Sequence, residues 1–229
     1  MSIYEEIVNF YDQIRSDTFH RYKSWEHCYS YFQLAKKIDY DYAALQLAFY
    51  LASWGMYRGS SYLLWKDYKI HEELIKNIEN NICFKLEMKK ENDEKNIEYI
   101  VKAINNIKDY YSQKIKTVNG IEKEVKPSTT LATKVLLGIN GCIPAFDRFF
   151  MTGLKLKNIG KSINKKTVKN LFEYYRNNEI EFDNASKYIK IHSGMEYPPM
   201  KLIDMYFWEI GRKEEEEIKR RRNLTTAST

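Results

Sequence analysis

Residues 41–58 read DYAALQLAFYLASWGMYR and form the most apolar helical stretch of the sequence. Apolar side chains lie nearly all round a helix with this spacing, and a helix without a polar face is buried on every side. Gly55 and Gly59 flank its end, where glycine commonly stops a helix. We therefore place 41–58 at the centre of the core.

The helical pattern extends over most of the chain. Proline occurs four times in 229 residues, and the intervals between prolines carry apolar residues at helical spacing. No period-two alternation is long enough to build a sheet. Ser2 and Glu5 have the spacing of a capping box for the first helix. Further helices are predicted at about 20–37, 60–82, 97–115, 129–140, 146–156, 164–177, 180–190 and 198–222.

This pattern predicts an all-α fold, a compact single domain of about nine helices over 1–222. Residues 223–229 are expected to form a disordered tail. Residues 85–126 are highly charged but keep one apolar helical stripe, which predicts a polar surface helix with flanking loops. Asn119-Gly120 is predicted to be a turn within this segment.

The composition and the N-terminus indicate a globular cytoplasmic protein. Apolar residues make up 44% and charged residues 30% of the chain. Glu5 and Glu6 stand where a signal peptide requires basic residues, and no run is apolar enough for membrane contact to be expected. Three widely spaced cysteines fit a reducing compartment, and the four histidines form no HxH or HExxH pair. We expect no metal site and no cofactor.

The net charge of +6 permits binding to DNA or RNA. Usage rich in lysine, asparagine and tyrosine is also typical of an AT-biased genome, which raises lysine for reasons unrelated to function. The composition alone is equally compatible with a protein partner or a homo-oligomer.

Residues 127–150 read PSTTLATKVLLGINGCIPAFDRFF. Ser128 or Thr129 can cap a helix, a glycine-containing turn and Ile143-Pro144 follow, and Asp147 opens the next helix. This order resembles the second half of the helix-hairpin-helix DNA glycosylase core, over about a tenth of the chain. In that family a short loop, often with a proline, leads to an aspartate at the start of the next helix.

The resemblance implies a catalytic role for Asp147. The family's aspartate steers the attacking water and stabilises the oxocarbenium-like sugar as the base departs, and a carboxylate suits a developing positive charge. The hairpin here begins Lys126-Pro127-Ser128 and lacks the family's glycines and the lysine of bifunctional members. A monofunctional or catalytically divergent enzyme is therefore expected. The alternative is that Asp147 is only a helix N-cap.

The same resemblance implies contacts to phosphate from Arg58, Lys126, Lys134 and Arg148. Arg58 also stands between Gly55 and Gly59 and precedes Ser60 and Ser61, which can start a helix. Glycines allow a close approach, a guanidinium is a bidentate donor, and a helix N-terminus offers free amides, so Arg58, Ser60 and Ser61 form a candidate anion site. In the alternative, Arg58 is solvated or caps carbonyl groups.

Two weaker motifs involve histidine. Glu26 and His27 lie on a partly apolar helix and could supply acid–base chemistry, although a histidine packed in a core interface is the alternative. Arg15 and His20 have the R-x4-H spacing that resembles the motif of HEPN-type ribonucleases, which are also helical.

The leading interpretation is a nucleic-acid-directed helical protein that resembles a base-excising DNA glycosylase, with Asp147, Glu26 and His27 as catalytic candidates. The first alternative is a non-catalytic helical interaction or regulatory protein, and the second is a HEPN-like ribonuclease.

Overall fold

The structure, a computed structural model, describes residues 1–81 and 90–226. Within these ranges it contains ten α-helices, four short 3-10 turns and one two-stranded antiparallel ladder, so the predicted all-α class is confirmed. The helices are α1 Ile3–Ser16, α2 Ser24–Leu34, α3 Tyr40–Ser53, α4 Glu72–Asn81, α5 Asp93–Lys114, α6 Thr129–Ile139, α7 Arg148–Leu156, α8 Lys165–Asn177, α9 Glu179–Ser193 and α10 Pro199–Thr226, and the strands are β1 Thr117–Val118 and β2 Ile121–Glu122.

The contacts of the chain separate into two compact units. The terminal unit comprises Met1–Gln13 and Pro144–Thr229, and the central unit comprises Ile14–Ile143. The single domain over 1–222 stays a prediction. No helix in the two described ranges is long and apolar enough to cross a lipid bilayer.

Several helix starts follow directly from local sequence. The Glu5 amide donates to Ser2 Oγ at 3.2 Å, and the Ser2 amide donates to Glu5 Oε2 at 2.8 Å, which confirms the predicted capping box. Ser128 caps α6 by accepting from the Leu131 amide at 3.1 Å. The Asn119-Gly120 turn is also confirmed, since both residues have positive φ, 52° and 75°, between β1 and β2.

The centre of the central unit is α6. Every residue of α6 from Leu131 to Ile139 is buried. In contrast, α3 exposes about half of each of three large apolar side chains on one face, Tyr42, Leu45 and Phe49. The expectation that this helix is buried on every side is therefore wrong, although its other face lies in the core, where Ala43, Leu47 and Leu51 are fully buried.

Side chains of α2 satisfy the carbonyl groups at the C-terminus of α6. Trp25 Nε1 donates to the Leu137 carbonyl at 3.0 Å, and Gln33 Nε2 donates to the Ile139 carbonyl at 3.3 Å. Carbonyl groups in the last turn have no partner within the helix, so a buried helix end needs such donors. Gly138 leaves room for the Tyr50 ring, whose Cε1 would be 2.7 Å from an added Cβ.

Other boundaries differ from the prediction. The stretch 60–82 is not one helix, since Ser61 and Asp67 each cap a separate 3-10 turn before α4 begins at Glu72. The apolar stripe of 85–126 is buried along α5, and residues 85–89 of that segment lie outside the described ranges. Helix α10 continues through Thr226, whereas the tail is predicted from residue 223, and 227–229 lie outside the described residues.

In the terminal unit, α7 and α10 pack backbone against backbone. A Cβ added at Gly153 would lie 2.0 Å from the Phe207 carbonyl oxygen, and one added at Gly211 would lie 1.9 Å from the Phe149 carbonyl oxygen. Real Cβ atoms do not approach oxygen this closely, so the contact requires glycine on both helices.

Replacing Gly153 by alanine is expected to separate α7 from α10. Overpacking typically costs about 1–3 kcal/mol, and the backbone oxygen of Phe207 cannot rotate away as a side chain can. Chemical denaturation should show Gly153→Ala to be less stable than wild type despite the better helix propensity of alanine. Lys155→Ala, at an exposed position of the same helix, is the control and should change stability by less than about 0.5 kcal/mol. A Gly153→Ala protein as stable as wild type would contradict this packing.

Candidate functional site

Asp147 is the N-cap of α7. Its backbone is extended, with φ −91° and ψ −179°, and its Oδ1 accepts from the Phe150 amide at 3.1 Å. The side chain is partly exposed and lies at the positive end of the helix dipole. An aspartate at the start of the helix that follows the loop is what the glycosylase resemblance implies, and the capping alternative is compatible with the same geometry.

The loop before Asp147 is buried from Gly141 to Phe146. Buried backbone outside a helix or strand needs specific partners for its N–H and C=O groups. The Ala145 amide donates to Asp204 Oδ1 at 2.9 Å, and the Asp147 amide donates to the Ala145 carbonyl at 2.8 Å. Asp204, on α10, thus fixes the backbone two residues before the candidate carboxylate.

Asp204 forms a buried ion pair with Lys201. Lys201 Nζ donates to Asp204 Oδ2 at 2.9 Å, and each side chain is only 5% exposed. Burial raises the pKa of Asp204 above its usual value, while Lys201 and the Ala145 amide act in the opposite direction. The charge of Asp147 also raises the pKa of Asp204, by less than burial does.

Arg148 follows Asp147 on the exposed side of α7. Its Nε lies 3.0 Å from Glu215 Oε2, and its guanidinium lies 4.6 Å from the centroid of the Phe149 ring. The Arg148 side chain is 67% exposed, so a phosphate could reach it in competition with Glu215. Asp147 and Arg148 are the two predicted site residues that the terminal unit brings together.

The other predicted site residues belong to the central unit. Arg58 is exposed, and its Nε would lie 2.8 Å from a Cβ added at Gly55, so the guanidinium lies over that glycine. Ser60 is exposed, and Ser61 caps the following 3-10 turn and donates to the Met56 carbonyl. The turn that begins at Tyr62 has only four residues, so it offers no long helix N-terminus to an anion.

Lys126 and Lys134 differ in exposure. Lys126 is exposed. Lys134 lies on α6 and is 3% exposed, and its ammonium donates to the Trp54 carbonyl at 2.9 Å. The Trp54 carbonyl lies just beyond the C-terminus of α3, where cations are favoured. This burial differs from the surface phosphate contact that the sequence predicts for Lys134.

The histidine motifs also differ from expectation. His27 is exposed and Glu26 is partly exposed on α2, so the alternative that packs His27 in a core interface is wrong. Arg15 lies in α1, whereas His20 caps the next 3-10 turn by accepting from the Tyr22 amide at 3.3 Å. The two residues of the R-x4-H spacing therefore belong to different elements and do not share a helix face.

Two of the buried polar sites that the sequence analysis missed are a charged pair and a histidine. One is the Lys201–Asp204 pair. The sequence does indicate it, because two opposite charges stand three residues apart within the apolar run MKLIDMYFW. The other is His71, which is fully buried and has Tyr57 Oη 2.7 Å from its Nε2 and Tyr111 Oη 2.7 Å from its Nδ1. Nothing local marks His71, because its partners are 14 and 40 residues away.

Comparison with protein-family models, with curated proteins and with solved structures finds no match to this chain. In the part of the chain that the structure describes, no group of three or more His, Cys, Asp or Glu side chains is arranged to hold a metal ion.

The His71 cluster predicts acid sensitivity. Burial lowers the pKa of His71 from 6.5 to about 3, so the folded protein keeps this imidazole neutral while the unfolded chain protonates it below pH 6.5. The stabilising contribution is complete above pH 6.5 and is lost as the pH falls towards 3, by at most about 1.4 kcal/mol per pH unit.

Denaturation midpoints measured between pH 7 and pH 4 test this contribution. His71→Gln keeps a donor and an acceptor for the two tyrosines but does not titrate, so its stability should fall less steeply with acid than that of wild type. His27→Gln, at an exposed histidine, is the control and should follow wild type. Equal acid dependence in His71→Gln and wild type would contradict the assignment.

Proposed function

We propose that this protein is a cytoplasmic, nucleic-acid-directed enzyme of the helix-hairpin-helix glycosylase type, and that it hydrolyses the N-glycosidic bond of a base in DNA. The observation that carries the proposal is Asp147, a partly exposed carboxylate at the start of α7 on a loop that Asp204 anchors. A group that must meet a reacting atom benefits from such a fixed backbone, because misplacement lowers the rate sharply.

The proposed reaction depends on the negative charge of the Asp147 carboxylate more than on its ability to accept a proton. As the bond from the sugar to the base breaks, its electron pair leaves with the base and positive charge develops on the sugar ring. Water then adds its oxygen to the same sugar carbon and releases a proton. The negative charge of Asp147 stabilises the cationic sugar and orients this water. The target base must first leave the helical stack, which costs a few kcal/mol.

Positive charge on the surface supports a DNA substrate. Arg148, next to Asp147, and Lys126 and Arg58 in the central unit are exposed side chains that could contact phosphate. The net charge of +6 adds long-range attraction, which salt should screen.

A non-catalytic interaction protein is the second candidate, and the exposed face of α3 favours it. Tyr42, Leu45 and Phe49 are about half exposed on one side of this helix. Contiguous exposed apolar residues commonly mark a protein-binding surface. In this alternative Asp147 is only the cap of α7.

Replacing Asp147 by asparagine separates catalysis from capping. Asparagine caps a helix about as well as aspartate does, so the melting temperature should change little. Release of base from duplex oligonucleotides that carry uracil, hypoxanthine, methylated purines or 8-oxoguanine should fall about a hundredfold or more, because the charge itself is lost. Binding to the same duplexes should persist, since one repulsive charge near phosphate is removed.

The matched control is Asp39→Asn. Asp39 caps α3 by accepting from the Asp41 and Tyr42 amides, so this variant makes the same chemical change at another N-cap. Its base release should equal that of wild type. Wild-type protein that releases none of these bases, or a folded Asp147→Asn protein with full activity, would overturn the catalytic proposal.

A further inference from the structure

The central unit carries a layered stack of aromatic and cationic side chains. Tyr22, in the 3-10 turn before α2, stacks on Trp54 with ring centroids 4.1 Å apart and planes inclined by 18°. Trp54 follows the last residue of α3, so the stack joins the start of one helix to the end of another. Both aromatic residues are partly exposed.

A cation lies close to each of these rings. The Arg21 guanidinium carbon is 4.9 Å from the centroid of the Tyr22 ring, and Arg21 Nη2 donates to Tyr22 Oη at 3.1 Å. On the inner side, the buried Lys134 ammonium is 5.6 Å from the centroid of the Trp54 ring. Arg58 lies over Gly55, the residue after Trp54.

The two arginines are available to an anion. Arg21 and Arg58 are both exposed, and neither forms an ion pair with a carboxylate in the ranges that the structure describes. Packing of the core accounts for the contact between Tyr22 and Trp54, but it does not require an exposed guanidinium bound to the Tyr22 hydroxyl.

We propose that the surface formed by Arg21, Tyr22, Trp54 and Arg58 binds single-stranded DNA. An unpaired base stacks on the guanidinium plane of Arg21, which the hydrogen bond to Tyr22 Oη holds in place, and Arg58 contacts a backbone phosphate. Bases stack on aromatic rings and on guanidinium planes without regard to sequence, while arginine supplies the charge that follows the backbone. The choice of DNA as the occupant rests on the proposed function.

The experiment measures fluorescence anisotropy of a labelled thymidylate oligomer, with full-length protein at low salt. Tyr22→Leu removes the hydroxyl that holds the Arg21 guanidinium and keeps apolar area. Arg21→Lys keeps the charge but removes the plane, and because Arg21 is exposed this variant should fold like wild type. Each change should weaken binding by about fivefold or more. Trp65→Leu, at a tryptophan that is 51% exposed elsewhere in the central unit, is the control and should stay within about twofold of wild type.

Three results would overturn the proposal. The first is that wild-type protein does not bind the thymidylate oligomer. The second is that Arg21→Lys and Tyr22→Leu proteins both melt like wild type and bind the oligomer with unchanged affinity. The third is that wild-type protein binds a uridylate oligomer but not the thymidylate oligomer.

The outcome is separable from that of the glycosylase proposal. Thymidylate binding that depends on Tyr22 and Arg21, in a protein that releases no base, would support the surface and remove the enzyme activity. Base release that depends on Asp147, with normal thymidylate binding in Tyr22→Leu and Arg21→Lys, would support the activity and remove the surface.

Discussion

The Lys201–Asp204 ion pair of α10 fixes the loop that leads into α7. Two charges that are each 5% exposed have lost most of their hydration, so each depends on the other and on the remaining polar groups around them. Asp204 divides its two oxygens between Lys201 and the Ala145 amide. The Asp204 carboxylate therefore neutralises the buried Lys201 charge and also fixes the backbone of the loop that leads to Asp147.

The packing of α7 on α10 also contributes to the position of Asp147. Gly153 and Gly211 let the two backbones approach closely, and the N-terminus of α7 is then held beside the residues of α10 that anchor the loop. Asp147 is thus positioned by the close packing of two backbones together with the buried Asp204 side chain. This rigidity suits a catalytic carboxylate.

Local features of the fold were predictable from the sequence, and those that depend on distant neighbours were not. The Ser2–Glu5 capping box and the Asn119-Gly120 turn follow from residues within one turn of each other. The exposed face of α3 was missed because its residues, Tyr42, Leu45 and Phe49, are as apolar as those that the helix buries. Lys134 was placed on the surface since its partner, the Trp54 carbonyl, is 80 residues away in the chain. For the candidate site, sequence located Asp147 but gave no indication that Asp204 anchors it.

The most direct test of this account is the free energy of unfolding of Lys201→Met and of the double variant Lys201→Met/Asp204→Leu, measured by urea denaturation. Breaking the pair should cost about 3–5 kcal/mol, because Asp204 is left buried without its partner. Removing both charges should recover part of this loss, but the double variant should stay about 1–3 kcal/mol below wild type, because the Ala145 amide then lacks an acceptor. A double variant as stable as wild type would contradict the claim that Asp204 anchors the loop before Asp147.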